Sequence, residues 1–223
     1  VITGIETKRS GAPTLSGGRR GRVLDIRKGA RVRLLDLHII HGRAFRGAGI
    51  RNRGNLILRD VSVRQNDTGR GSYVSPEGAG IWNEGRLGLN GATRITRNWT
   101  LGSCAGVMNA GVLVMNGTSI VAGNGPYFDL TGGVCNREGA TMTMNGRTSI
   151  RNNGEWQVTN SGRITMNGTS WIRPNPSDDD EFGAGVSNWG LLTMNDASAI
   201  RNGEPMAHGV DNYGRLVMND ASS

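Results

Sequence analysis

Two sets of side chains in this 223-residue chain have the types and spacing to do chemistry. Asp178, Asp179, Asp180 and Glu181 form the densest acidic run, the hard oxygen donors that calcium takes. Four consecutive residues diverge along a loop, so a solvated run is expected, with a weak calcium site as the alternative and no other cofactor. The second set would bind rather than react. Trp82 and Trp189 flank asparagines that recur along the chain, and Tyr213 sits one recurrence beyond Trp189. Such rings can stack on sugar rings. Arg151, Arg173 and Arg201 recur in the same way and, close together, would need acids or an anionic ligand beside them. No catalytic residue is expected. His38 and His41 flank one stretch, His208 lies far from both, and no Ser or Cys nucleophile motif accompanies them.

What must position these residues is a repeat. The stretch Gly133-Val-Cys-Asn136-Arg-Glu-Gly139-Ala-Thr-Met-Thr-Met144-Asn145-Gly146-Arg-Thr148-Ser-Ile150 has variants on both sides, beginning at Gly106 and Gly185. From Gly49 on, seven units align on Gly-Ile/Val-x-Asn-x-Gly-x-Leu-x-Met/Leu-Asn-Gly-x-Ser/Thr-x-Ile-x-x-Asn. Their anchoring asparagines, Asn52, Asn83, Asn109, Asn136, Asn160, Asn188 and Asn212, are 31, 26, 27, 24, 28 and 24 residues apart. The extra length always falls after the Ile and its trailing Asn. Insertions at one constant place are loops along one edge of a solenoid.

Within each unit the apolar period is two, so the elements are strands of about three to five residues. Three short strands per unit, stacked on those of the next, predict an all-β fold: a right-handed parallel β-helix of about eight coils. At about 4.8 Å per coil it would be a rod some 35 to 40 Å long. One solenoid over 1–223 is expected, with 1–21 an irregular leading segment, 22–48 the first coil and 49–223 the seven repeats. Inward columns such as Leu89, Met115, Met144, Met166, Met194 and Met218 would fill the core. Three asparagine columns would turn the corners through amide ladders: the anchors; Asn90, Asn116, Asn145, Asn167, Asn195 and Asn219; and Asn66, Asn98, Asn124, Asn153 and Asn175. The hydroxyls of Thr93, Ser119, Thr148, Ser170, Ser198 and Ser222 are expected to satisfy one another at a corner.

Composition agrees with a thin-layered body: 36 glycines, 5% aromatic residues and 36% hydrophobic residues are lean for a spherical core. The net charge of +8 comes from arginine, since Lys8 and Lys28 are the only lysines, and it favours polyanions over cationic partners. No apolar run is long enough to span a membrane. Cys104 and Cys135 lie 31 residues apart, about one repeat, but at different places within their repeats, so free buried thiols are expected rather than a disulfide.

Gly80-Ile81-Trp82-Asn83-Glu84-Gly85-Arg86-Leu87, and the lead-in coil from Gly21 to Gly42, resemble the repeats of bacterial cell-surface β-helix proteins of the polymorphic outer-membrane and autotransporter-passenger type. The resemblance covers about residues 21–223. It implies an extracellular or cell-surface location and a structural or adhesive role as a rigid stalk. Surface glycans or other polyanions, drawn by the basic charge, and end-to-end copies, stacked on uncapped coils, are the expected partners, with no specific nucleic-acid recognition. The chain is expected to be a segment of a longer one. A carbohydrate-binding or polysaccharide-degrading β-helix with a site in its loops is the alternative reading.

Overall fold

The computed structural model describes residues 2–3, 12–69, 76–126, 132–174, 184–201 and 208–220. Every strand pairing among them is parallel. The chain winds through three sheets in succession. The unit at the centre shows the path: Val134–Asn136 joins the first sheet, Thr141–Met144 the second and Ser149–Arg151 the third. The first and third sheets each stack eight strands and the second nine among the described residues, so about seven turns separate the ends. A short fourth pairing, Trp99–Thr100 with Gly125–Pro126, lies in the inserted loops.

The alternation read from the sequence sets which side chains go inward. In the second sheet Leu89, Met115, Met144, Met166 and Met194 pair coil to coil and are buried; Met218 continues the column in the last strand and is half exposed. Ile95, Val121, Ile150 and Ile172 do the same in the third sheet. One apolar cluster therefore runs the length of the rod, fed by one or two residues from each strand.

The amide ladders are present. At the first corner Asn52 Nδ2 donates to Asn83 Oδ1 at 2.7 Å, and the relay continues through Asn109, Asn136, Asn160 and Asn188 to Asn212 at 2.7 to 2.8 Å. Each of these amides from Asn52 to Asn188 also donates to a main-chain carbonyl of the following coil, as Asn136 Nδ2 does to Arg163 O at 3.1 Å. The second ladder runs oppositely: Asn116 donates back to Asn90, and so on to Asn219. The third joins Asn66, Asn98, Asn124 and Asn153. There the sequence reading needs completing. Gln157, four residues beyond Asn153, turns its side chain back to accept from the Asn153 main-chain and side-chain amides at 2.9 and 3.1 Å. Asn175 and Ser222 lie outside the described residues.

The hydroxyl column differs from expectation. Ser119, Thr148, Ser170 and Ser198 are fully buried, yet their hydroxyls have no hydrogen-bond partner among the described residues. Thr93 alone donates to a turn carbonyl, Asn90 O, at 2.7 Å. Stacking parallel strands puts like atoms at one level in successive coils, and the hydroxyls do not close the gap by pairing. Ser170→Ala should consequently leave the urea midpoint unchanged or raise it, because a buried group without a partner only carries a desolvation cost. A loss above about 1 kcal/mol would show that the hydroxyl is satisfied in solution.

The recurrent glycines have a steric cause that periodicity alone does not reveal. A Cβ on Gly106 would lie 2.5 Å from Gly133 O in the following coil, and one on Gly111 would lie 2.2 Å from Gly85 O in the preceding coil. Gly80 and Gly85 stand in the same relations to their neighbours. In the Gly-x-x-Asn-x-Gly motifs that begin at Gly49, Gly80, Gly106 and Gly185, the two glycines are the places where consecutive coils touch backbone to backbone.

The cysteines correct the expectation of free thiols: Cys104 and Cys135 form a disulfide, with Cα atoms 5.5 Å apart. Cys135 points outward from the middle of the first-sheet strand Val134–Asn136, next to Met108 on the adjoining strand. Cys104, with φ 64, sits in the loop that folds over that face. Different places in the repeat converge because the loop crosses the outer surface, where repeat position no longer fixes location.

Candidate groove on the third sheet

The outward residues of the third sheet form the best candidate site. Ile120, Ser149 and Trp171 are in register on adjacent strands and make the floor of an open groove of about 580 Å³. Thr118, Arg147 and Thr169, from the turns just before these strands, form one wall. Arg151 and Arg201, two residues beyond the floor positions in their coils, form the other. Arg173 stands between them in the column, paired with Arg151, and Arg201 follows it with its amide bonded to Ile172 O. The lining thus comes from four consecutive coils, and the groove runs along the rod axis, across the strands.

Trp171 is half-buried and sits between two cations: the Arg151 guanidinium carbon is 5.9 Å from its ring centroid and that of Arg201 is 6.0 Å. Cation–π attraction at such distances holds the guanidiniums over the ring without neutralising them. Among the described residues none of Arg147, Arg151, Arg173 and Arg201 has a carboxylate within ion-pair distance. Elsewhere the arginines on the first sheet are matched. Arg53 donates to both oxygens of Asp25 at 3.1 Å, Arg51 meets Glu84 at 3.0 Å and Arg137 meets Glu77 at 2.6 Å. The hydrogen bond from Arg51 to Glu84 raises the Arg51 pKa, whereas burial lowers that of Arg22. A cluster of like charges with no acid beside it among the described residues is the arrangement that a bound anion would relieve.

The other sequence-predicted residues disperse. Trp82 is only 4% exposed, which corrects its assignment as a ligand-stacking ring. It lies between the guanidiniums of Arg46 and Arg137, 4.6 and 5.1 Å from its ring, and packs with Met108 and the disulfide in a small cluster beneath the inserted loop. Trp189 and Tyr213 do come together. Their centroids are 4.2 Å apart with planes 15° from parallel, and both are well exposed at the corner between the first and second sheets. Trp189 Nε1 donates to Ser187 Oγ at 3.1 Å, which fixes the ring. This shelf is on a different edge of the rod from the groove. Asp178, Asp179, Asp180 and Glu181 lie outside the described residues; among the described ones no three His, Cys, Asp or Glu side chains gather as a metal site.

Trp171 and Arg147 are the functional candidates that a residue-by-residue reading misses. The signal was there: Trp171 is two residues before Arg173, so a strand places both on the same outer face. No helix among the described residues is long and apolar enough to cross a membrane. Compared with known proteins, the chain matches no family model, and no curated protein or solved structure matches it significantly, so what can be said of its function comes from the geometry of the solenoid and its groove.

Proposed function

We propose that the chain is an adhesive segment of a secreted or surface-exposed β-solenoid, a rigid rod that holds an anionic glycan in the groove of the third sheet. The observation that carries this reading is the set of arginines around the half-buried Trp171 that have no carboxylate partner among the described residues. Guanidiniums supply bidentate contacts to carboxylate or sulfate, and the indole supplies an apolar face for a ring. Two further features support the surface setting. A structural disulfide belongs to oxidising compartments. The resemblance of the Gly80–Leu87 motif to surface-protein repeats points the same way. The ladders make the rod a suitable spacer, since each coil is tied to the next by side chain as well as backbone.

Heparin and polyuronate should bind with micromolar or weaker affinity that falls as salt rises, as expected for exposed charges. Trp171→Ala should weaken binding about tenfold, equivalent to about 1.4 kcal/mol, and Arg151→Ser with Arg201→Ser should flatten the salt dependence. Isothermal titration at several salt concentrations measures both. Binding that is unchanged in both variants would remove the groove from the reading, and no binding to any polyanion would leave only the spacer.

A further inference from the structure

We propose that the groove takes a linear polysaccharide with a carboxylate on every sugar, lying parallel to the rod axis with one sugar per coil. This rests on the reading of the groove as an anion site and names the ligand class. Three observations lead to it.

The first is direction. Residues lining the groove come from four successive coils, from Thr118 through Arg147 and Trp171 to Arg201, so its long dimension is the stacking direction. Three steps of sheet spacing make it about 14 Å long. The second is charge spacing. Arg151, Arg173 and Arg201 occupy one column, each a strand beyond the last, so cations recur about every 4.8 Å. A polyuronate advances by a similar distance per pyranose and carries one carboxylate at each step. A glycan with uronate on alternate sugars would leave the middle arginine facing a neutral residue. The third is width. The floor is a single column of side chains between two walls, and it holds one aromatic ring. That fits a single file of sugars with one of them over Trp171. A single-stranded nucleic acid presents a base at every step and would find stacking at one step only.

The test is a length series. Oligogalacturonates of one to six sugars are titrated by calorimetry, alongside hyaluronan oligosaccharides, heparin and neutral dextran. Affinity is expected to tighten roughly threefold to tenfold with each added uronate, as successive charge-assisted contacts form, and to level off at about three sugars, because the first lining coil carries Ala122 where the next three carry Arg151, Arg173 and Arg201. Hyaluronan fragments of equal length should bind at least tenfold more weakly. Arg201→Ser, at an exposed position, should bring the plateau one sugar shorter, because Arg201 contributes the last coil of the groove. A plateau reached at one or two sugars, equal affinity for hyaluronan, or a plateau length unmoved by Arg201→Ser with the melting temperature retained would overturn axial one-per-coil binding. If heparin binds through Trp171 while uronates show no length dependence, this inference fails and the anionic-glycan reading survives. If no polyanion binds, both fail.

Discussion

Gly111→Ala should destabilise the protein by about 3 to 5 kcal/mol, more than typical substitutions outside the glycine columns. The reason is contact between backbones. The added methyl carbon would be 2.2 Å from Gly85 O and 2.9 Å from the carbonyl carbon of Glu84, and neither is the end of a flexible side chain that could swing away. Relief requires the two coils to part by about 1 Å at the corner. The same corner carries Val112 N donating to Gly85 O at 2.8 Å, Ala110 N donating to Asn83 O at 2.7 Å and the Asn83 to Asn109 amide bond. Parting the coils stretches all three, at about 1 kcal/mol each, on top of the overpacking strain. Gly139→Ala is the control. Gly139 has φ +76 with open space around its Cα, so its replacement costs only the left-handed strain of about 1 to 2 kcal/mol. Urea denaturation followed by circular dichroism separates the two. Equal costs would mean that the corner gives way easily and the glycine column is not a packing constraint.

That prediction rests on something the sequence displayed without explaining. The Gly-x-x-Asn-x-Gly pattern marks the repeat, but only the stacked coils show one glycine facing forward to the next coil and the other facing back. The parts read correctly from the chain are those governed by periodicity: the three sheets, the Met column and the asparagine anchors, because residues at one repeat position must fall into one column when coils stack. The errors sit where the chain leaves the repeat. Trp82 has an outward strand position from which its ring could stack on a sugar, but the loop that carries Cys104 folds over it. The different repeat positions of Cys104 and Cys135 argue for free thiols, a rule that does not apply to a loop crossing the face. Gln157 completes the third ladder from a non-repeat position four residues on, which no alignment of asparagines would find. The groove falls between the two cases. Its arginine column was legible, but Arg147 joins it from the preceding turn and Trp171 from the floor, so the site emerges only when three neighbouring columns are viewed together.

Breaking the Cys104–Cys135 bond should lower stability by about 3.5 to 4 kcal/mol, while leaving the coils folded in the absence of denaturant. The bond closes 31 residues of chain, and the chain-entropy relation gives that size for such a loop. What it secures is local. Cys104 is fully buried and packs with Trp82 and Met108 outside the main core, under a loop that has its own main-chain ties, such as Gly78 N to Cys104 O at 3.0 Å. The first-sheet strands below are held independently, by ladder bonds through Asn83, Asn109 and Asn136. A Cys104→Ala/Cys135→Ala variant should therefore keep its β-sheet circular dichroism, lose several kcal/mol against urea, and let water reach Trp82, whose emission shifts to the red. Arg46 and Arg137 would no longer be held over a covered ring, so acrylamide quenching should rise for one tryptophan of the five. Quenching that stays at the level of the disulfide-bonded protein would show that packing alone closes the loop over Trp82. The bond would then be dispensable to the closed loop, and the support it lends to an oxidising, extracellular setting would weaken with it.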